Sequence, residues 1–281
     1  MGVRHITRAG RGVASVAVLM AMLLTAMSAL VARAEQLVLQ HERGQGVTPV
    51  FEGWYRNPNG TFTLSFGYLN RNFKERLDIP IGSENRIAPG DPDQGQPAHF
   101  LPRRQWGVFG VVVPADFGSQ RLTWTLAAHG QTNAVPGSLN PIYEIPALRE
   151  STAGNTPPKL QFGPSGPTGQ GPLGVTTTVQ ASDRSIPNLH VRVTDDGVVS
   201  LQQEGRSAPL SIKWQKYRGP GNVTFDTDAP NVDASGLAQT GVRFEQPGEY
   251  TLRVLANDHS GDGGGGSQCC WTNGYVKTTI R

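Results

Sequence analysis

The chain has 281 residues, of which 35 are glycine and 21 are proline, about a fifth of the total. Because both residues disfavour helix interiors, this density excludes a large helical bundle and favours an all-β or loop-rich protein. Charged residues make up 17% of the chain and the formal net charge is +3, so a long charged coiled coil is also excluded.

Residues 1–34 have the order of a secretory signal peptide. A start that contains three arginines precedes an apolar run over residues 13–31, and Ala32-Arg33-Ala34 follows as an A-x-A cleavage signature. We therefore predict cleavage after Ala34 and a mature protein that is secreted or periplasmic. An uncleaved membrane anchor is the alternative, because an apolar run of this length nearly spans a bilayer.

The basic character of the chain belongs to this leader. Residues 1–34 hold four of the 25 basic residues and none of the 22 acidic ones, so the predicted mature chain has 21 and 22, a net charge of −1. Nucleic-acid binding depends on a strongly basic surface. We therefore expect no nucleic-acid partner, and the sequence predicts no membrane span in the mature chain because no second long apolar run follows.

Apolar residues alternate with polar ones along residues 35–149, the pattern of strands that bury one face. The clearest run is residues 61–68, in which four large side chains share one face: Phe62, Leu64, Phe66 and Tyr68. Shorter runs predict strands over residues 77–81, 109–113 and 122–126. These strands predict an N-terminal β-sandwich domain over residues 35–149.

Residues 150–281 repeat the pattern after a segment rich in proline and glycine. The clearest runs are residues 189–194, 210–215 and 250–256. Short strands at this spacing, with turn residues between them, predict a second β-sandwich. We expect Trp214 in this half and Trp124 in the first half to lie in the two cores.

The second half resembles a known type of module. Trp214, the turn and strand over residues 247–254 (PGEYTLRV) and Asn257-Asp258 resemble the PKD-like and related immunoglobulin-like modules of secreted bacterial proteins. That resemblance implies a core tyrosine at Tyr250. The Gly-Asp-Gly loop that usually follows the tryptophan is missing, which places the relation in the wider sandwich superfamily.

The whole chain is similar to uncharacterised secreted bacterial proteins with the same two-part layout, a resemblance that implies no activity. The combined prediction is an all-β fold: two immunoglobulin-like β-sandwich domains, residues 35–149 and 150–281, after a cleaved signal peptide.

Sequence signatures of enzymes are mostly missing: the nucleophile elbow, the paired-histidine zinc motif and the Walker phosphate loop. The mature chain has five scattered histidines, which we interpret as surface or loop residues: His41, His99, His129, His190 and His259. Asp91 and Asp93 share a loop that we interpret as solvated. We therefore expect a protein that is not an enzyme, with no catalytic residues, no metal and no cofactor; a carbohydrate-active enzyme is a rival interpretation.

The C-terminal loop over residues 257–271 contains four consecutive glycines and the only two cysteines, Cys269 and Cys270. Thiols outside the cytoplasm tend to oxidise, so we predict a vicinal disulfide. Such a bridge is unusual, because neighbouring Cα atoms lie about 3.8 Å apart and common disulfides join Cα atoms about 4.4–6.8 Å apart. Free or intermolecular thiols are alternatives, and a soft-metal site with His259 is a third.

Loops at the end of a sandwich often bind ligands. We therefore interpret four residues as a candidate binding loop: Asp258, His259, Asp262 and Trp271. The alternative is that the glycines only make a flexible loop and that Trp271 covers the edge of the core. The predicted function is a secreted or periplasmic non-catalytic binding or structural protein with a protein or glycan partner at the cell envelope. The alternative function is a periplasmic metal-binding or redox protein that uses the Cys269-Cys270 loop.

Overall fold

A computed structural model describes residues 41–151, 153–181, 183–198, 210–258 and 269–281, together with Gly2. Within it, His41–Arg281 forms one compact unit. The predicted signal peptide, apart from Gly2, and the loop residues His259 and Asp262 lie outside the described residues.

The first half forms two small antiparallel sheets and a short strand pair. In chain order its strands are β1 (Val47–Arg56), β2 (Phe62–Asn70), β3 (Leu77–Asp78), β4 (Asn85–Ala88), β5 (His99–Phe100), β6 (Arg103–Val113), β7 (Arg121–Ala128) and β8 (Gln131–Ser138). The sheets have the orders β1-β2-β6 and β4-β7-β8, and β3 pairs with β5. A short 3-10 helix, Pro141–Tyr143, follows β8.

The two sheets of the first half bury aromatic side chains between them. Phe66 of β2 stacks on Phe109 of β6 with ring centroids 5.4 Å apart, and Trp124 of β7 meets Phe66 edge-on at 6.2 Å. The run predicted from alternation at residues 61–68 therefore lies in β2, and the core position of Trp124 is confirmed. The strand predicted over residues 77–81 is shorter, because Pro80 has no amide N–H to extend the pairing.

The second half forms two larger sheets that face each other. In chain order its strands are β9 (Lys159–Gln161), β10 (Thr168–Gln170), β11 (Val175–Thr178), β12 (Ser185–Thr194), β13 (Ser211–Arg218), β14 (Val223–Phe225), β15 (Leu237–Phe244), β16 (Gly248–Asn257) and β17 (Trp271–Ile280). One sheet has the order β10-β9-β12-β15-β14 and the other β11-β17-β16-β13. Strand β11 pairs with β17 in parallel, whereas β17 pairs with β16 antiparallel.

Tyr250 and Trp214 lie in the core between these sheets, as predicted. The Tyr250 ring packs on Phe244 with centroids 4.8 Å apart, and its hydroxyl donates to the carbonyl of Gln246 at 2.8 Å. Gly219, with φ +140°, lies where a Cβ atom would collide with the Tyr250 ring. The backbone before β14 therefore needs glycine to pass this tyrosine.

The all-β fold is confirmed by these strands. One hydrophobic core is built from residues 47–128 and a second from residues 160–280, but Tyr217 belongs to the first core and Tyr275 packs against it. The domain boundary at residue 150 stays a prediction, because His41–Arg281 is one compact unit. Among the described residues, no helix has the length and apolar character to cross a membrane.

Candidate functional site

The first half packs against the outer face of the β11-β17-β16-β13 sheet, and we call this contact the seam. Alternate residues of β17 reach β6 across it. The Asn273 amide donates to the Gly107 carbonyl at 2.8 Å, the Trp271 indole N–H approaches the same oxygen at 3.4 Å, and the Tyr275 hydroxyl donates to the Val108 carbonyl at 2.7 Å. Burial raises the pKa of Tyr275 to about 12, so this hydroxyl keeps its proton.

Gly107 makes this close approach of β6 to β17 possible. The register between β2 and β6 shifts between Phe66 and Tyr68, so β6 bulges toward the seam at residues 106–108. Gly107 has φ +44°, and a Cβ atom there would collide with the indole ring of Trp271. A side chain at this position would therefore separate the two strands.

Asn273 uses both ends of its amide at the centre of the seam. Its nitrogen donates to the carbonyls of Gly107 and Pro172, at 2.8 and 2.6 Å. Its oxygen accepts from Nε and Nη2 of Arg253 on β16, at 2.9 and 2.6 Å. Arg253 is only 1% exposed, and burial lowers its pKa. No ion pair joins Arg253 to a carboxylate among the described residues.

A buried carboxylate at the seam, that of Glu52, pairs with a different cation. Glu52 of β1 accepts two hydrogen bonds from Nη2 of Arg104, at 2.8 and 2.7 Å, and one from the Gly107 N–H at 3.3 Å. Burial raises the pKa of Glu52, and the Arg104 charge opposes that effect. The Arg104 guanidinium also lies over the Trp106 ring, 3.8 Å from its centroid. Glu52 and Arg104 therefore neutralise each other.

The margin of the seam is held by ion pairs. Asp78 of β3 accepts from Nδ1 of His99 at 2.9 Å and from Nζ of Lys216 at 3.1 Å. Burial acts to raise the pKa of Asp78, but the hydrogen bonds and charges of His99 and Lys216 outweigh it and lower the pKa. The interpretation of His99 as a surface or loop residue is wrong, because it lies in strand β5 and only 9% of its side chain is exposed.

A second margin contact corrects the interpretation of the Asp91–Asp93 loop as simply solvated. Asp93 accepts a bidentate pair of hydrogen bonds from Nη1 and Nη2 of Arg218 on β13, both at 2.8 Å. The Arg218 side chain also donates through Nε to the Gln96 carbonyl at 2.8 Å. Arg218 lowers the pKa of Asp93, so the pair is charged at neutral pH.

Cys269 and Cys270 form a vicinal disulfide across a cis peptide bond, which confirms the prediction of a bridge between them. The two residues are 2% and 1% exposed. Their sulfur atoms lie 3.8 and 3.6 Å from the carbonyl oxygen of Asn155, in the segment that joins the 3-10 helix to β9. The Asn155 amide donates to the Asp258 carboxylate at 2.8 Å. The disulfide thus belongs to a buried contact between β16, β17 and that segment.

The candidate binding loop is placed only in part. Asp258 and Trp271 are both buried, Asp258 beside Asn155 and Trp271 against Gly107. His259 and Asp262 lie outside the described residues, so the loop stays a prediction. Where the structure describes the chain, no group of three or more His, Cys, Asp or Glu residues is placed to hold a metal ion.

Concave spaces open along the seam, and two of them adjoin the residues described above. A cleft of about 390 Å³ is lined by the Asp78, His99 and Lys216 cluster. A cavity of about 290 Å³ lies between β6 and the β13-β16 pair, with Arg253 in its wall and Trp271 at one side. We call this second space the Arg253 cavity. Both spaces take residues from the two halves of the chain.

Neither a protein-family model nor a curated protein matches this sequence. Among solved structures, the chain is similar to the D00-D0 domain of Intimin, with 11% identity over 83% of this chain and 99% of that one and a TM-score of 0.26. It is similar to fibronectin(III)-like modules of Clostridium thermocellum CbhA, with 10% identity over 84% and 94% and a TM-score of 0.22. Domains 4 and 5 of the S-layer protein SbsC give 10% identity over 84% and 98% and a TM-score of 0.22. At these scores, the likenesses add nothing to the all-β class that the strands themselves establish, and the immunoglobulin-like and PKD-like assignments stay predictions.

Proposed function

We propose that this protein is a non-catalytic binding or structural protein of the cell envelope, secreted or periplasmic, whose two halves act as one rigid unit. The seam is the observation that carries the proposal. Hydrogen bonds at its centre are buried, and ion pairs close its margin. A protein that holds two sandwiches in one fixed orientation is suited to presenting a binding surface or to bearing load.

The polar groups at the seam margin support a joining role. Asp78 lies between His99 and Lys216, and its carboxylate is already bonded to both of these side chains. Among the described residues that line this cleft, none is a serine, threonine or cysteine that His99 would activate.

The redox alternative gains no support from the disulfide, because exchange requires access for an attacking thiolate and both sulfurs are buried.

The location is tested by expressing the full chain with a bacterial export system and sequencing the N-terminus of the protein outside the cytoplasm. We expect the sequence to begin at Glu35. A protein that keeps residues 1–34 and sediments with membranes would support the anchored alternative.

The binding role is tested with labelled mature protein on glycan arrays and on envelope preparations. We expect saturable binding that unlabelled protein displaces, and weaker binding by the double variant His259→Ala/Asp262→Ala. The matched control is His41→Ala/Asp116→Ala, which changes two exposed residues of the same types. Binding that ignores the loop variant would exclude the loop as the contact surface. Hydrolysis of an array glycan that disappears in Asp78→Asn would contradict the non-catalytic proposal.

A further inference from the structure

We propose that the loops at one end of the first half form a peripheral binding surface for a bilayer that contains anionic phospholipids. The inference deepens the proposed function, because it names a partner within the cell envelope and rests on the proposed location there. The surface consists of residues 41–46, 69–76 and 101–103, and we call it the basic tip.

The basic tip extends beyond one end of the β1-β2-β6 sheet. Val47, Asn70 and Arg103 lie side by side in the last row of that sheet, so the segments next to them leave it at the same end. The Phe73 N–H donates to the carbonyl of His41 at 2.9 Å, and the Arg103 guanidinium lies over the Phe73 ring, 5.0 Å from its centroid. Three segments that are separate in the chain therefore form one surface.

The basic tip is strongly positive, although the chain as a whole is not. It contains two acidic residues, Glu42 and Glu75. Its basic residues are all exposed: Arg43, Arg71, Lys74, Arg76 and Arg103. The tip thus has a net charge of +3, whereas the rest of the predicted mature chain has −4. Each basic residue near an anionic membrane strengthens binding by a factor of about 5, so this concentration of charge favours an anionic surface as the partner.

Exposed apolar side chains at the tip favour a lipid bilayer over a soluble anion. Phe73 is 44% exposed and Leu69 is 38% exposed. An aromatic ring beside a cation is suited to the boundary between lipid headgroups and acyl chains, where one part of the surface is apolar and the other is wet. Free phosphate would pair with the arginines but leave Phe73 and Leu69 in water, whereas a bilayer offers phosphates to the arginines and acyl chains to the apolar side chains.

Two buried asparagines hold the loops of the tip in place. The Asn72 side chain accepts from the Gln45 N–H and donates to the Gln45 carbonyl, both at 2.7 Å. The Asn70 amide donates to the Glu75 carbonyl at 2.8 Å. The surface is therefore ordered before it meets a membrane, which reduces the entropy that binding would cost.

The experiment is sedimentation of the mature protein, residues 35–281, with large unilamellar vesicles. Vesicles that contain equal parts of phosphatidylglycerol and phosphatidylcholine are compared with vesicles of phosphatidylcholine alone. We expect saturable binding to the anionic vesicles that is at least about tenfold tighter than binding to the neutral ones and that weakens as salt is added. Glycerol phosphate, a soluble analogue of the headgroup, should not displace the protein from the vesicles.

Charge reversal at the tip tests the role of the arginines. Arg71→Glu/Arg103→Glu should weaken binding to the anionic vesicles by about tenfold or more. The matched control Arg86→Glu/Arg121→Glu changes two exposed arginines outside the tip and should bind like the wild type. Equal melting temperatures would establish that both double variants fold, and the lipid and salt dependence of the wild type tests the proposal without any variant.

Phe73→Ser tests the apolar contact and should weaken binding by about tenfold, whereas Ile142→Ser, at a side chain that is 78% exposed outside the tip, should not. The proposal is overturned if neutral vesicles bind as tightly as anionic ones, if the tip variants bind like their controls, or if glycerol phosphate displaces the protein. These outcomes are separate from the N-terminal sequence of the exported protein, so this inference fails without the proposed location failing with it.

Discussion

Two arginines of the second half meet the first half in opposite ways. Arg218, at the margin of the seam, makes a bidentate pair with Asp93, whose side chain is 44% exposed. Arg253, at the centre, is buried and donates two hydrogen bonds to the amide oxygen of Asn273. One cation is therefore paired and screened by water, and the other is held by a neutral group away from water.

This difference determines where in the seam a substitution lowers the stability of the protein most. Water near the margin replaces a lost ion pair at little cost, so a contact such as Arg218–Asp93 contributes little to stability. At the centre, each removed partner leaves a buried polar atom that water does not reach. The cost of a substitution should therefore fall from the centre of the seam to its margin, which the following variants test.

The largest effect is expected for Asn273→Leu. This change leaves the Arg253 guanidinium and the carbonyls of Gly107 and Pro172 without their amide partner, and we expect a loss of about 4 kcal/mol in the free energy of unfolding. Urea denaturation measures this loss. Asn231→Leu, at an exposed asparagine, should change stability by no more than about 0.5 kcal/mol. Equal effects of the two substitutions would show that the centre of the seam contributes no special stability.

Gly107→Ala should have the next largest effect. Alanine adds strain at φ +44° and forces its Cβ against the Trp271 indole, so we expect a loss of about 3 kcal/mol. Gly60→Ala is the matched control, because Gly60 has φ +85° but no atom lies within 4 Å of its added Cβ. That control should lose about 1 kcal/mol from backbone strain alone. Thermal unfolding of both variants separates strain from collision, and similar losses would contradict the close packing of β6 on β17.

The long strands were predictable because each of them buries at least one face. The run predicted at residues 61–68 lies in β2 and the run at residues 250–256 lies in β16, since the two-residue period of a strand places every second side chain in the core. The two tryptophans assigned to the cores, Trp124 and Trp214, are buried there. The same rule does not say what covers the other face of β16.

Sequence reasoning ended at that other face of β16. Alternation shows that Arg253 lies on the opposite face from Leu252 and Val254, but not that another sheet covers that face. The covering contact joins Asn273 to Gly107 across 166 positions of the chain, and no local pattern links them. A local signal was Gly107 itself, because a glycine inside a strand often marks a bulge or a close approach of another backbone. His99 was misread for the same reason, because Lys216 and Asp78 lie 138 positions apart.

At the margin, the Arg218–Asp93 pair should contribute about 1 kcal/mol, because its geometry is bidentate but solvent screens the exposed carboxylate. A double-mutant cycle with Arg218→Met and Asp93→Asn measures the coupling energy. The Arg243–Asp226 pair, with side chains 65% and 52% exposed, is the control and should give about 0–0.5 kcal/mol. Coupling above about 3 kcal/mol at Arg218–Asp93 would contradict the distinction between centre and margin.

The smallest effect is expected at Asp78, whose side chain is 57% exposed and whose pKa lies below its ordinary value of 3.8. A carboxyl whose pKa is lower in the folded state stabilises the fold above the unfolded pKa, and the stabilisation disappears as the pH falls through the folded pKa. Asp78→Asn should therefore be less stable than the wild type at neutral pH, with a difference that shrinks as the pH falls below 3.8. Urea unfolding across the acid range measures this difference, and Asp116→Asn, at an exposed aspartate, is the control. A difference that stays constant with pH would mean that Asp78 acts through its shape and hydrogen bonds rather than through its charge on His99 and Lys216.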